Sequence, residues 1–262
     1  MTELGAQISS GAALLGAGVA GLFAYSVLAP RSQLFFPVIS RGDDSDPARI
    51  ALTFDDGPWP EGTVPILDTL KSLKVRAAFF VIGANAQRYP DLVRRMDAEG
   101  HIVGNHTFDH RHLGAMRSRR YWRDQLERTD VVLTEILGRR PALFRPPLGL
   151  KSWMMAGPLR QSGHVTVCWS RRGLDGVRTT TDKILSRMSP AKPGEILVLH
   201  DGQEPWKPRD PAPTVAAIEP LVQTLRDRGL EFERLDRFIG VEAYLPAPTE
   251  LGSTALAEAA GA

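Results

Sequence analysis

Two adjacent carboxylates, Asp55 and Asp56, and two histidines four residues apart, His106 and His110, are the side chains in this sequence best suited to work together on a reacting group. Consecutive carboxylates at the end of a strand point in different directions, so one can bind a metal while its neighbour handles a proton. On a helical turn, His106 and His110 would project from one face. With a carboxylate they make a His-His-Asp set that leaves coordination positions open for water and substrate. Taken alone, the carboxylates also fit a solvated turn and the histidines an ordinary surface. The double Asp, the intervening Thr107 and the position of both groups at strand ends favour a metal centre. His101 and His164 each start a strand and read as structural, and His112 reads as a bystander near the site.

The elements that must carry these groups follow from hydropathy. Ile50 to Phe54 is rich in β-forming residues, and Gly57-Pro58 stops it. From Arg49 onward, strand-like runs alternate with helical patterns, the signature of βα units around a parallel sheet or barrel. Seven strands are expected, at residues 50–54, 75–82, 101–104, 143–145, 164–169, 195–199 and 230–235. Helices are expected at 64–73, 92–99, 118–137, 153–161, 181–188 and 215–226. Ser118 caps the longest helix, whose core-facing positions are Trp122, Leu126, Val132, Leu133 and Ile136. Pro205 to Pro213, with four prolines in nine residues, reads as a loop. Asp55, Asp56, His106, His110, Arg145, Asp175, His200 and Asp201 all fall at or just past the carboxyl end of an expected strand, the edge on which α/β folds build sites.

Of the 262 residues, 43% are hydrophobic and 24% charged, enough for one domain with a sizeable core. The 32 basic residues nearly balance the 30 acidic ones and form no tract, so nothing points to nucleic acid. The only cysteine, Cys168, excludes an intrachain disulfide. Residues 4–30 carry no charge, and 12–29 are almost wholly apolar, about the ~20 residues that a membrane-crossing helix needs. Ala12, Gly16 and Ala20 repeat at helix-packing spacing. A cleaved signal peptide would normally begin with basic residues, and Met1 to Gln7 has none. The expected organisation is a short tail at 1–7, a transmembrane anchor at 8–30, a linker at 31–48, a catalytic domain at 49–240 and a flexible tail at 241–262. This describes a single-pass membrane protein with its domain outside the cytoplasm, a placement against which Arg31, Arg41 and Arg49 count.

Five ordered segments, Thr53-Phe-Asp-Asp-Gly-Pro58, His106-Thr-Phe-Asp-His110, Arg145-Pro-Pro-Leu-Gly149, Trp169 to Asp175, and Leu197-Val-Leu-His-Asp201, resemble the motifs of the NodB-type polysaccharide deacetylases, carbohydrate esterase family 4. The similarity runs from about Arg49 to Leu235. It implies a distorted (β/α) barrel, usually with seven strands, here preceded by an N-terminal hydrophobic helix. It also implies that Asp56, His106 and His110 bind a divalent metal, most often zinc, with cobalt or another divalent ion as alternatives. By the same resemblance, Asp55 is the general base and Arg145 orients it, although Arg145 also fits a structural ion pair. His200 is the general acid with Asp175 as its partner, although Asp175 also fits a simple turn. The Leu148 N–H is the implied oxyanion donor. Asp201 reads as support for its loop.

Departures concern the substrate. Leu148 stands where the family has an aromatic, Gly176 where it has tryptophan, and Val198 where it has leucine, so the acyl pocket is expected to be wider or to be refilled by Trp169 or Trp206. Trp59 fits either a sugar-stacking platform or the core. The expected activity is metal-dependent removal of N-acetyl groups from an amino-sugar polymer such as peptidoglycan or a chitin-like chain. The alternatives are a deacylase of a lipid-linked or small amidated sugar, and a non-catalytic carbohydrate-binding protein. The expected partners are the N-acylated sugar and, through the N-terminal helix, a membrane.

Overall fold

The computed structural model describes residues 21–42, 48–111 and 116–245. In chain order its elements are β1 (Arg49–Asp55), α1 (Pro60–Ser72), β2 (Ala78–Val81), α2 (Gly83–Arg88), α3 (Pro90–Ala98) and β3 (Ile102–Asn105). There follow α4 (Arg119–Leu137), β4 (Arg140–Pro141), β5 (Leu143–Phe144), α5 (Trp153–Ser162), β6 (Val165–Thr166) and β7 (Arg171–Arg172). The last are α6 (Thr181–Met188), β8 (Ile196–His200), α7 (Ala212–Asp227), β9 (Glu231–Phe232), α8 (Leu235–Ile239) and β10 (Tyr244–Leu245).

Seven strands lie in the order β6-β5-β3-β2-β1-β8-β7, with β9 added alongside the start of β1, and every pairing in this sheet is parallel. The curled parallel sheet with helices packed on it is the expected distorted (β/α) barrel. Parallel strands joined by helical crossovers are covered on both faces and so carry unbroken apolar runs. β1 and β2 do: six of the seven β1 residues and all four of β2 are buried. On one side Phe54, Phe79 and Leu199 pack with Leu67 and Leu221 of the helices, and on the other Ala51, Phe80 and Phe144 pack with Trp122 and Leu126.

α4 begins at Ser118, whose Oγ accepts from the Tyr121 N–H at 3.3 Å, and ends at Gly138 in the left-handed region at φ 71°. Trp122, Leu126 and Leu133 are buried, with Val132 and Ile136 half-buried against the core. β7 has no counterpart in the hydropathy because Arg171-Arg172 is a short, partly exposed edge. α8 occupies the end of the run expected as the last strand. The β4–β10 pair lies outside the main sheet.

The N-terminal expectation requires a correction. Among the described residues no helix is long and apolar enough to cross a membrane, which overturns the single-pass assignment and the membrane partner. Residues 21–28, the described helical part of the expected anchor, are exposed at six of eight positions and touch the domain along one side. Ser26 is fully buried, Phe23 packs against Phe35 and Trp153, and Lys151 Nζ donates to the Ala29 carbonyl at 2.6 Å. Residues 1–20, with the rest of that stretch, and the expected tail at 246–262 lie outside the described residues.

Candidate active site

Register brings the chemistry together. Asp55 closes β1 directly opposite His200 at the end of β8, and β2 and β3 carry the sheet from there to Asn105, the residue before His106. Asp56 then turns back with φ 73°. A β-carbon at Gly57 would overlap the Asp201 carboxylate, and one at Gly202 would overlap the Asp56 carbonyl, so both turns need glycine to pack this closely.

The residues from 106 to 110 do not form the expected helical turn. His106 continues β3, while Thr107 and His110 take positive φ values of 68° and 50°. Hydrogen bonds from outside the segment hold this shape. Asn105 Oδ1 accepts from the Thr107 N–H at 2.9 Å, and Gln125 Oε1 accepts from the N–H groups of Phe108 and Asp109 at 2.9 and 3.0 Å. Asn105 Nδ2 donates to Asp130 Oδ1 at 2.8 Å. The two imidazoles thereby converge, with ring centroids 4.8 Å apart. Asp56 Oδ1 lies 3.5 Å from His106 Nε2 and 3.3 Å from His110 Nε2. One ligand atom from each of Asp56, His106 and His110 falls within 4.8 Å of the other two.

This set fits a divalent cation. His106 Nδ1 is 2.8 Å from the Arg145 carbonyl, which can only accept, so Nδ1 carries the proton and Nε2 offers a lone pair to the centre. Asp56 Oδ1 is buried with no hydrogen-bond donor among the described residues. Burial opposes ionisation of Asp56, but His110, His106 and His200 outweigh it and hold the carboxyl well below the usual carboxylate range. Three convergent N and O donors of this type suit zinc-like ions and leave further positions for water and substrate.

Asp55 belongs to a different network. Arg145, fully buried, donates from Nη1 to Asp55 Oδ1 at 2.7 Å and to Thr53 Oγ1 at 2.8 Å, and from Nε and Nη2 to the carbonyls of Val167 and Cys168. Its guanidinium also lies 4.0 Å from the Phe80 ring centroid. The other oxygen, Asp55 Oδ2, lies 3.9 Å from His106 Nε2, on the side of the three ligands.

Across the centre, His200 Nδ1 pairs with Asp175 Oδ1 at 2.8 Å, and the His200 N–H donates to Asp175 Oδ2 at 2.9 Å. Burial alone would lower the imidazole's pKa, but the Asp175 charge and hydrogen bond, aided by Asp56, raise it to about 9. Asp175 is itself held by the Thr214 hydroxyl at 2.8 Å and faces Arg209 Nη1 at 3.9 Å. Asp201 points away from the cleft: it accepts from Thr63 Oγ1 at 2.5 Å, and burial raises its pKa to about 7.

Asp55, Asp56, His106, His110 and His200 line a cleft of about 440 Å³, whose walls include Leu148, Trp169, Leu174, Val177 and Val198. Trp59 does not line it; half-buried, it packs edge-on against Tyr89 with Arg88 over its ring. His101 and His164 stand apart in the domain, and His112 lies outside the described residues. A separate hollow of about 550 Å³, near the amino ends of β2 and β3, contains none of the expected site residues. Gln125, Asp130, Thr214 and Arg209 were missed by sequence reasoning. For the first two a signal existed, because they interrupt the apolar stripe of α4 with buried polar groups, which demand partners.

The comparisons with known proteins agree with this geometry. A family model described as polysaccharide deacetylase matches residues 42–167. A chitooligosaccharide deacetylase of Bradyrhizobium sp. is 35% identical over 201 residues, covering 74% of this chain and 92% of the relative. A peptidoglycan-N-acetylglucosamine deacetylase of Bacillus cereus is 32% identical over 189 residues, covering 72% and 67%. The crystal structure of a peptidoglycan N-acetylglucosamine deacetylase in complex with a naphthyl-benzamide ligand superposes with a TM-score of 0.73 at 29% identity, covering 79% of this chain and 94% of that one. The chain belongs to the NodB-type polysaccharide deacetylases, hydrolases of carbon–nitrogen amide bonds.

Proposed function

We propose that this protein removes N-acetyl groups from an amino-sugar polymer of the peptidoglycan or chitin type, with Asp56, His106 and His110 holding a divalent cation, zinc first and cobalt second. The observation that carries this reading is the convergence of Asp56 Oδ1 with two imidazole Nε2 atoms, beside a separately anchored carboxylate and an imidazole paired to an acid. Such a cation supplies Lewis acidity that polarises an amide carbonyl and makes a neighbouring water a stronger acid.

The remaining work falls to side chains. Asp55 removes the proton from the attacking water, and Arg145 keeps Oδ1 occupied so that Oδ2 faces the reacting centre. His200 Nε2 delivers a proton to the leaving nitrogen, without which an amine anion would have to depart. Asp175, on Nδ1, keeps that imidazole charged near neutral pH. The Leu148 N–H, on a turn with φ 56°, is the donor assigned to the developing oxyanion. Leu148, Trp169 and Val198 form the wall that meets the acyl group.

A non-catalytic binding protein would have no use for a buried base held by Arg145 or for a charged acid at His200. A panel of N-acetylated oligosaccharides, peptidoglycan fragments and lipid-linked sugars, assayed for released amine, tests the activity. Chelation should abolish release and added zinc or cobalt restore it, and turnover indifferent to chelator would remove the metal from the reading.

A further inference from the structure

The catalytic cleft continues into a second one of about 510 Å³, and the two share Asp56, Gly176, Val177, Glu204 and Lys207. Charge and apolar surface are distributed unevenly along this groove. Arg172 lines the catalytic part, Arg178 the second part, and Lys207 both. All three are exposed, and among the described residues none has an ion-pair partner. Surface arginines elsewhere, such as Arg94, Arg95 and Arg234, do hold carboxylates.

The acids of the second cleft do not neutralise these cations. Asp56 faces His106 and His110, Asp175 is committed to His200 and Thr214, and Glu204 is buried beside His110. Asp210 is exposed, with Oδ1 accepting from the Ala212 N–H. Apolar surface sits alongside: Leu174 and Val177 line the groove with 38% and 61% of their area exposed. Next to Lys207 on the same loop, Trp206 presents an indole that is 42% exposed and lies 4.6 Å from the Arg111 guanidinium. Cations beside low-dielectric walls attract anions more strongly than cations on open surface. An exposed indole beside them offers an apolar face to a sugar ring.

We propose that this extension binds a negatively charged group, a carboxylate or a phosphate, on the sugar adjoining the one that loses its acyl group, with Arg172, Arg178 and Lys207 as the anion contacts. The proposal rests on the amide-hydrolase reading above and narrows its substrate to an acidic N-acylated glycan.

Three matched N-acetylated disaccharides, one neutral, one bearing a carboxylate and one a phosphate, provide the test. The wild-type protein should show a higher kcat/KM on a charged sugar than on the neutral one. That preference should shrink as salt rises from about 0.01 M to about 1 M, which shortens the screening length from roughly 30 Å to 3 Å. Arg172→Gln, Arg178→Gln and Lys207→Gln combined should lower the charged-to-neutral ratio about tenfold. The two charged arms tell carboxylate from phosphate. Equal kcat/KM on all three sugars, or a ratio that the triple variant leaves unchanged, overturns the proposal. If no sugar releases amine, the hydrolase reading is what fails. Calorimetric titration then tests the groove directly, and equal affinity for charged and neutral sugars overturns it.

Discussion

At the floor of the cleft, Arg145 is fully buried and donates to four oxygens, whereas at the rim Leu148, Leu174 and Val177 stand open to solvent beside Arg172 and Lys207, which have no ion-pair partner among the described residues. The floor has almost no freedom, because each charged group there is the partner on which another depends. Rim side chains can change without leaving a buried charge exposed to nothing. On the function proposed above, the difference teaches that the reaction and the choice of substrate are set by separate parts of the molecule, with different tolerances to mutation.

The largest effects should therefore come from the floor. Asp55→Asn keeps the shape and the Arg145 contact but removes the carboxylate proposed as the base, and should cut kcat about a thousandfold with folding intact. His106→Ala should lose both bound metal and turnover, while His200→Ala should retain metal, as read by elemental analysis; a metal-free His200→Ala protein would mean that the acid and the ligands have been confused. Arg145→Met leaves Asp55 buried without its cation, and an expected cost of about 3–5 kcal/mol should appear in denaturant unfolding.

A smaller effect separates the acid from its support. With the His200 imidazole raised to about 9, the alkaline limb of the pH–rate profile should lie near that value, less whatever a bound cation takes back by masking Asp56. Asp175→Asn should move the limb down toward the ordinary value of about 6.5. The sign for stability follows: with Asp175 ionised, the raised imidazole's contribution is present in full below about 6.5 and is lost as the pH rises through about 9. An unmoved limb would break the link between Asp175 and His200. Gln125→Ala frees two N–H groups of the ligand loop and should weaken metal binding by about 10- to 100-fold, measured by competition with a chelating dye. Smallest of all, Leu174→Ala at the rim should leave the melting temperature almost unchanged while altering the ratio of kcat/KM between acetyl and longer acyl substrates by a few-fold. A large loss of stability there would erase the contrast between floor and rim.

Much of this arrangement was legible in the residues. Strand positions followed from hydropathy because parallel strands covered on both faces are apolar throughout, as β1 and β2 are. Short or polar elements left little trace: β7 is two arginines, and the two-residue β4 and β10 pair with each other at the margin. The apolar N-terminal stretch misled because hydropathy cannot say what an apolar face packs against. Its described end meets Phe35 and Trp153 of the same chain. Trp59 posed a similar ambiguity; its half-buried indole lies outside the lining of the cleft, against Tyr89 and Arg88.

By itself the sequence determined which side chains stand at the carboxyl ends of the strands, and in what order, because a β-strand followed by a turn delivers its next residues to that edge wherever it sits in the sheet. Tertiary structure alone decided who meets whom. Asp55 and Arg145 are 90 residues apart, and Asp175 and His200 25 apart, and both pairs close only because the strands assemble as β6-β5-β3-β2-β1-β8-β7. The convergence of His106 with His110 also depended on tertiary structure. Their segment is not a helix, and its positive-φ turns persist because Asn105 and the buried Gln125 of α4 take up its N–H groups.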